Sequence, residues 1–295
     1  MRRADLFLLL ATLFWAWSFI GTKVLMRHLP ALEAVALRVV LGALLLLLFA
    51  FARKKRPVFS RRDGALLLLC GAVLALHFTI QFTGLERTTA TNTGWIIAVV
   101  PISTTLLAWF FLKERVTLLQ IMGMGVASAG IVLLISGGRP ASLAPLSHKG
   151  DYLVLGSTFT WAVYTVLSRD ISRRHGALPV TAVVLAVTAA MAGAYLGFAA
   201  DWSRIRALPA EGIGAALSLA VLSTFLAFWF WQEGVARLGA ARAGYFLYLT
   251  PVATSGLALL VLGERLGWST LFGAILVTAG VILAEKRRKE ARGGG

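Results

Sequence analysis

GWIIAVVPISTTLLAWFFLKERVTLLQIMGMGVASAGIV, residues 94–132, and GYFLYLTPVATSGLALLVLGERLGWSTLFGAILVTAGVI, residues 244–282, are one element written twice. The first runs from Gly94-Trp95 through Pro101 to Leu112-Lys113-Glu114-Arg115, then Gly123 and Gly130-Ile131. The second runs from Gly244-Tyr245 through Pro251 to Leu262-Gly263-Glu264-Arg265, then Gly273 and Gly280-Val281. Gly, Pro, Glu, Arg and two further Gly recur at one fixed offset of 150. A period that long in a chain is a statement about architecture, so everything else is read against it.

The surrounding composition says what kind of architecture. Of 295 residues, 58% are hydrophobic and only 14% charged, and the mean hydropathy is +0.80. A soluble domain carries nearer a quarter charged residues and lacks the interior to hide this much apolar surface. Apolar runs of about 18 residues or more match a bilayer core about 30 Å thick at about 1.5 Å rise per residue. The expectation is an all-α integral membrane protein embedded in a lipid bilayer. The net charge of +16 does not point to nucleic acid, because the basic residues sit between apolar runs instead of on one soluble face. Cys70, the single cysteine, falls in an apolar run and is expected to be a small core residue. The first run is too long for a signal-peptide core and is expected to be a retained helix.

Ten spans can be drawn: 5–26, 32–52, 64–83, 92–112, 117–136, 151–169, 179–199, 212–232, 243–262 and 267–285. A Gly/Pro/Ser-rich linker, 137–150, separates spans five and six. The halves also match at their starts. Asp5-Leu6, Trp15-Ala16 and Lys23 correspond to Asp151-Tyr152, Trp161-Ala162 and Arg169; Leu29-Pro30 corresponds to Leu178-Pro179, and Gly84 to Gly234. The expected units are therefore 1–140 and 141–290, with 291–295 a tail. Five spans is an odd number, so the two copies must enter the membrane from opposite sides. Such inverted repeats build many secondary transporters, with the substrate site near the midplane between them. With the N-terminus in the cytoplasm, 20 Lys and Arg fall in inside segments and 7 in outside ones. That bias predicts both termini inside.

Trp15 and Lys23 in span one, Pro30 and Arg38 around span two, and the duplicated Pro…Leu-x-Glu-Arg…Gly…Gly block resemble the EamA-type branch of the drug/metabolite transporter superfamily. Within it the chain is similar to the bacterial amino-acid and metabolite exporters, which include exporters of aromatic amino acids. The resemblance covers almost the whole chain. It implies ten transmembrane helices in two inverted five-helix repeats, both termini inside, and export across the bacterial inner (plasma) membrane. The second half has no arginine matching Arg38.

Residues that are costly or unusual at membrane depth are the candidates for function. His77 and Gln81 lie four apart on span three and share a face that should look inward. Aromatics crowd spans one, four, six, eight and nine. Trp17, His77, Gln81, Trp95, Trp161, Tyr164, Trp231, Tyr245 and Tyr248 are the expected substrate-binding residues, in an aromatic-lined cavity suited to amphipathic metabolites. Pro101 and Pro251 fall mid-span and predict kinks, with a possible hinge role. Arg38, buried mid-helix, is expected to be a structural charge paired with another helix, with substrate contact as the second reading. Glu114 and Glu264 precede spans five and ten, either as end-to-end latches or as carboxylates favouring a helix N-terminus. Gly193-x-x-x-Gly197 and Gly123-x-x-x-Ala127 permit close helix approach.

The function these residues predict is a secondary exporter of amino acids and related small amphipathic metabolites, working by alternating access. No catalytic residue, cofactor or metal is expected, and no Walker lysine or glycine loop is present for ATP. Exporters of nucleotide sugars or lipid-linked metabolites, an integral-membrane enzyme, and a channel are the rivals. The spans offer an enzyme one central histidine and no carboxylate pair. Every acidic residue falls in a loop or near a span end, so no carboxylate is available as a mid-membrane proton carrier. Movement of substrate down its own gradient is therefore expected, by a monomer or homodimer.

Overall fold

A chain this apolar, surrounded by lipid, must close its backbone hydrogen bonds within itself, and helices do so segment by segment. The computed structural model describes residues 3–53, 58–113, 116–135, 149–262 and 268–286, which are helical with no strand among them. Five helices come from the first half: α1 (Arg3–Leu25), α2 (Ala31–Ala52), α3 (Arg61–Glu86), α4 (Ala90–Leu112) and α5 (Leu118–Ile135). Five come from the second: α6 (Lys149–His175), α7 (Ala177–Ala199), α8 (Ala210–Leu238), α9 (Ala240–Val261) and α10 (Trp268–Lys286). Seven of these, α1 to α4 and α7 to α9, are long and apolar enough to cross a bilayer. A short helix, Trp202–Arg206, sits between α7 and α8.

Several helices outrun the expected spans. The apolar run sets how much of a helix lies in hydrocarbon, but polar residues at its ends face water and do not stop it. Ser60 caps α3 by accepting the Asp63 amide at 3.1 Å, so the helix starts ahead of its apolar stretch. Helix α6 continues through Arg173, Arg174 and His175 until Gly176, whose φ of 89° lies in the left-handed region that glycine tolerates.

The two prolines interrupt their helices alike. A proline offers no N–H to the carbonyl four residues earlier, and its ring crowds that turn. Helix α4 opens at Ala98-Val99, just ahead of Pro101, and α9 at Leu247-Tyr248, just ahead of Pro251. The surface between helix ends is apolar: Leu48, Phe51, Leu68, Trp109, Phe111 and Leu260 all face outward. Hydroxyls and amides point in, many bonded to the preceding turn, as Thr12 is to the Leu8 carbonyl at 2.9 Å.

Packing follows the duplication. Helix α1 packs on α8 and α3 on α6; α2 packs on α7, α4 on α9 and α5 on α10. Exchanging each helix for its partner in the other half leaves this set of contacts unchanged. The glycines of the duplicated block explain the tightest pair. A methyl built on Gly280 would stand 2.6 Å from the Gly123 carbonyl oxygen, and one built on Gly130 would stand 2.8 Å from that of Gly273. The four glycines thus hold α5 and α10 backbone to backbone, running antiparallel. Cys70 is buried in the main core, as expected.

A second duplication emerges at the helix ends. Arg174 and His175, closing α6, reach Asp63 at the start of α3 at 2.8 and 3.1 Å. Arg27 and His28, just past α1, reach Glu211 at the start of α8 at 3.1 and 3.8 Å. The first carboxylate is 7% exposed and the second 55%. The same Arg-His pair therefore makes a close, shielded latch at one site and a loose, solvated one at the other.

Candidate functional site

Seven helices surround a small cavity of about 40 Å³. Helix α1 contributes Trp15, Ser18 and Phe19; α2, Arg38; α3, His77, Phe78 and Gln81; α4, Ile97 and Val100. From the second half come Trp161 of α6, Phe228 of α8, and Leu247 and Thr250 of α9. Each proline break borders this space, since Ile97 and Val100 flank one opening and Leu247 lies in the other, with Thr250 just beyond it.

Eight of these residues are repeat mates of one another, Trp15 with Trp161, Phe78 with Phe228, Ile97 with Leu247 and Val100 with Thr250. The cavity therefore lies on the seam between the halves. The remaining polar lining does not repeat. Ser18, Arg38, His77 and Gln81 correspond to Tyr164, Val187, Ala227 and Trp231. One wall carries the charge and amide, and the other is nearly all aromatic and aliphatic.

The aromatic part is rigidly made. Trp15 stands edge-on to Trp161 with centroids 4.8 Å apart, and Phe228 lies 5.4 and 5.7 Å from the two indoles. Such edge-to-face contacts contribute about 0.5–1.5 kcal/mol each beyond burial. Trp15 Nε1 donates to the Ser223 carbonyl at 3.0 Å, and the Ser223 hydroxyl donates back to the Phe14 carbonyl at 2.7 Å. Ser223 lies in a π-helical stretch, Leu219–Leu226, whose widened turns leave carbonyls for such partners. Trp231 backs the two indoles from 5.2 and 5.6 Å, and Tyr164 backs Trp161, its hydroxyl accepting from Gln232 Nε2 at 3.0 Å.

Arg38 is 2% exposed. One guanidinium nitrogen donates to Ser18 Oγ at 2.8 Å, and the group lies over Phe82 at 4.3 Å and Phe78 at 5.4 Å. Its Nε has no partner, and no carboxylate pairs with it among the described residues. The expected charged partner on a neighbouring helix is thus replaced by a hydroxyl and two rings. Desolvating an ion costs several kcal/mol even after relaxation. A cation–π contact returns about 2 kcal/mol at best, and a hydrogen bond to a charged group about 1.5–3. The favourable contacts at most approach the penalty, and the positive charge itself stays unneutralised.

His77 Nδ1 lies 3.0 Å from the Ser157 carbonyl and 3.2 Å from Thr160 Oγ1. A carbonyl only accepts, so in the neutral ring Nδ1 carries the proton and Nε2 keeps the lone pair. The ring rests 5.1 Å from Trp161. Gln81, one turn further along the same face, reaches Ser157 Oγ with a long 3.5 Å contact.

Of the residues expected to bind substrate, His77, Gln81 and Trp161 line the cavity, and Tyr164 and Trp231 form the layer behind it. Trp17 does not reach it; its Nε1 donates to Ser218 Oγ at 3.1 Å in an apolar cluster around Leu25 and Leu219. Trp95, Tyr245 and Tyr248 form a separate buried cluster with Ala127 and Val277, where α4 and α9 meet α5 and α10. Glu114 and Glu264 lie outside the described residues. Phe228, one of the aromatics crowding span eight, also lines the cavity. Sequence reasoning passed over Ser18, Phe78 and Thr250, although Phe78 was findable as the mate of Phe228 at the offset of Gly84 and Gly234.

Helices with apolar exteriors and a partly polar cavity between two repeated halves define a multi-pass membrane transporter. The EamA-like transporter family pattern matches residues 2–136 and again residues 148–285, and the chain belongs to that family. A probable amino-acid metabolite efflux pump of Salmonella typhimurium is 27% identical over 96% of this chain and 95% of its own. A probable terminal-alkyne amino-acid exporter of Streptantibioticus cattleyicolor is 29% identical over 80% of this chain and 79% of its own. A solved crystal structure with 20% identity superposes over 99% of both chains at a TM-score of 0.76, a likeness of fold. The protein is a transporter of metabolites and not an enzyme.

Proposed function

We propose that the protein is a secondary exporter of amino acids and related small amphipathic metabolites in the bacterial inner membrane. Its units are 1–140 and 141–290, arranged as two inverted five-helix repeats with both termini in the cytoplasm. The observation that carries this reading is the cavity on the seam between the halves, aromatic where Trp15/Trp161 and Phe78/Phe228 repeat and carrying its charge and amide on unrepeated positions. A solute with an apolar side chain and a polar head matches such a lining. The names of the relatives from Salmonella and Streptantibioticus favour amino acids over nucleotide sugars, and the cavity's single cation is a poor match for a diphosphate.

Inversion is favoured by α5 and α10, whose reciprocal glycine contacts run antiparallel under exchange of the halves. Alternating access is favoured by the unequal latches, because one end held by Asp63 and the other loosened at Glu211 is what a carrier caught between its two openings needs. Pro101 and Pro251, bordering the cavity, are the hinges of that motion.

Uptake of labelled amino acids into proteoliposomes tests the reading. Counterflow should proceed without a pH gradient and survive an uncoupler. Accumulation against a gradient, driven by imposed pH and abolished by His77→Ala, would make the carrier proton-coupled. Retention of none of the labelled amino acids by vesicles containing folded protein would overturn amino-acid export itself.

A further inference from the structure

Three buried polar atoms on the cavity residues have no partner: Arg38 Nε, Trp161 Nε1 and Thr250 Oγ1. Two of them can only donate, and a hydroxyl can donate as readily as accept. Buried donors left unpaired are rare, because each lacks the hydrogen bond it had in water. Other unpaired buried atoms, such as Trp229 Nε1 and Thr104 Oγ1, lie elsewhere, but these three sit around one space with a guanidinium that faces no acid among the described residues. None of the described residues lining the cavity is acidic.

Building on the export reading above, we propose that Arg38 anchors a substrate carboxylate and that the carrier leaves the amino group unread. A carboxylate supplies what the lining lacks: a negative charge for the guanidinium and acceptor lone pairs for the orphaned donors. An ammonium group would find no anion there, and would stand in a cavity that already holds a buried cation. The second-half wall, with Trp161 and Phe228, takes the apolar part of the solute. The cargo class is therefore amphipathic monocarboxylates, of which amino acids are one kind. Deaminated and N-acylated acids with the same side chain are carried as well. Amines with that side chain and no carboxylate are refused.

Ser18 is the positioning residue for this anchor. Its hydroxyl accepts from the guanidinium at 2.8 Å and fixes which edge of Arg38 is left for the ligand. Lysine at position 38 would keep the charge but lose the flat fork of donors, so Arg38→Lys should be intermediate between wild type and Arg38→Gln.

Three probes with one ring separate the head groups: phenylalanine, phenylpropionate and phenethylamine. Binding of each to the full-length protein is measured in detergent by the shift in its melting temperature, and transport is measured separately in proteoliposomes. Phenylpropionate and phenylalanine should bind within threefold of each other, and phenethylamine at least tenfold more weakly. Arg38→Gln should weaken phenylpropionate at least tenfold while the ligand-free protein melts no lower than wild type, since an unneutralised buried charge has been removed. Ser18→Ala should weaken it severalfold, which keeps the test open even if Arg38→Gln does not fold. Phenethylamine binding as tightly as phenylpropionate would overturn the anchor, and so would undiminished phenylpropionate binding in both variants. Arg38-dependent binding by a protein that carries nothing would uphold the anchor and defeat the export reading. Transport of amine and acid alike would do the reverse.

Discussion

The two walls of the cavity come from two copies of one sequence, and they have diverged most in their charged and amide residues. Where the copies agree, as in Trp15 and Trp161 or Phe78 and Phe228, the residues are bulky and apolar and set the cavity's shape. Where they disagree, the first half holds Ser18, Arg38, His77 and Gln81 and the second holds Tyr164, Val187, Ala227 and Trp231. Duplication makes the scaffold repeat itself, and a site that repeated with it would suit a solute with two like ends. An amino acid or related acid is polar at one end and apolar at the other. The divergence supplies that polarity, and under the proposed function the specificity lies in what the repeat does not repeat.

The comparison breaks most sharply at Arg38. Arg38→Gln should lower the transport rate at least about tenfold, roughly 1.4 kcal/mol or more of lost stabilisation, whereas Val187→Ala at the corresponding position should leave it within about twofold. Comparable losses from the two substitutions would mean the walls are not functionally distinct. The scaffold should behave the opposite way. Because their glycines do one job in both halves, Gly280→Ala and Gly130→Ala should each destabilise the protein by about 2–3 kcal/mol, the typical penalty of overpacking against backbone that cannot yield. Melting in detergent reports it, and a large difference between the two would unsettle the symmetry of α5 and α10.

Smaller effects separate the members of a repeated pair. The Trp15 N–H is bonded to the Ser223 carbonyl and the Trp161 N–H is not. Trp15→Phe should therefore lower stability by about 1 kcal/mol, one lost hydrogen bond. Trp161→Phe should leave stability unchanged and slow transport severalfold. The smallest effect belongs to the cluster around Trp95. Trp95→Phe, Tyr245→Phe and Tyr248→Phe should keep transport within about twofold, because these residues pack away from the cavity.

These contrasts also mark how far the sequence could be read. The duplicated block, the apolar spans and the inward face of His77 and Gln81 are local patterns, and the helices and the lining follow them. Which aromatics face the cavity is not local. Trp95 and Tyr245 repeat as cleanly as Trp15 and Trp161, but their helices turn that face toward α5 and α10, and repetition alone cannot tell two symmetric faces apart. Arg38 was visible as a charge within a span, yet that no acidic partner meets it among the described residues depends on what four neighbouring helices bring to it. Ser18 and Thr250 were invisible for a simpler reason. Hydroxyls are common in membrane helices, where most bond to their own turn. The paired Arg-His latches were legible in principle, since Arg27-His28 and Arg174-His175 recur near one offset, but their partners Asp63 and Glu211 differ in residue type.

The most direct test is to find the solute. Crystals of the full-length protein grown with para-bromophenylpropionate allow the ring to be located by the anomalous signal of its bromine. Bromine is expected against the Trp161–Phe228 wall, with the carboxylate against Arg38. Bromine in the cluster of Trp95, Tyr245 and Tyr248, or a carboxylate turned away from Arg38, would contradict it.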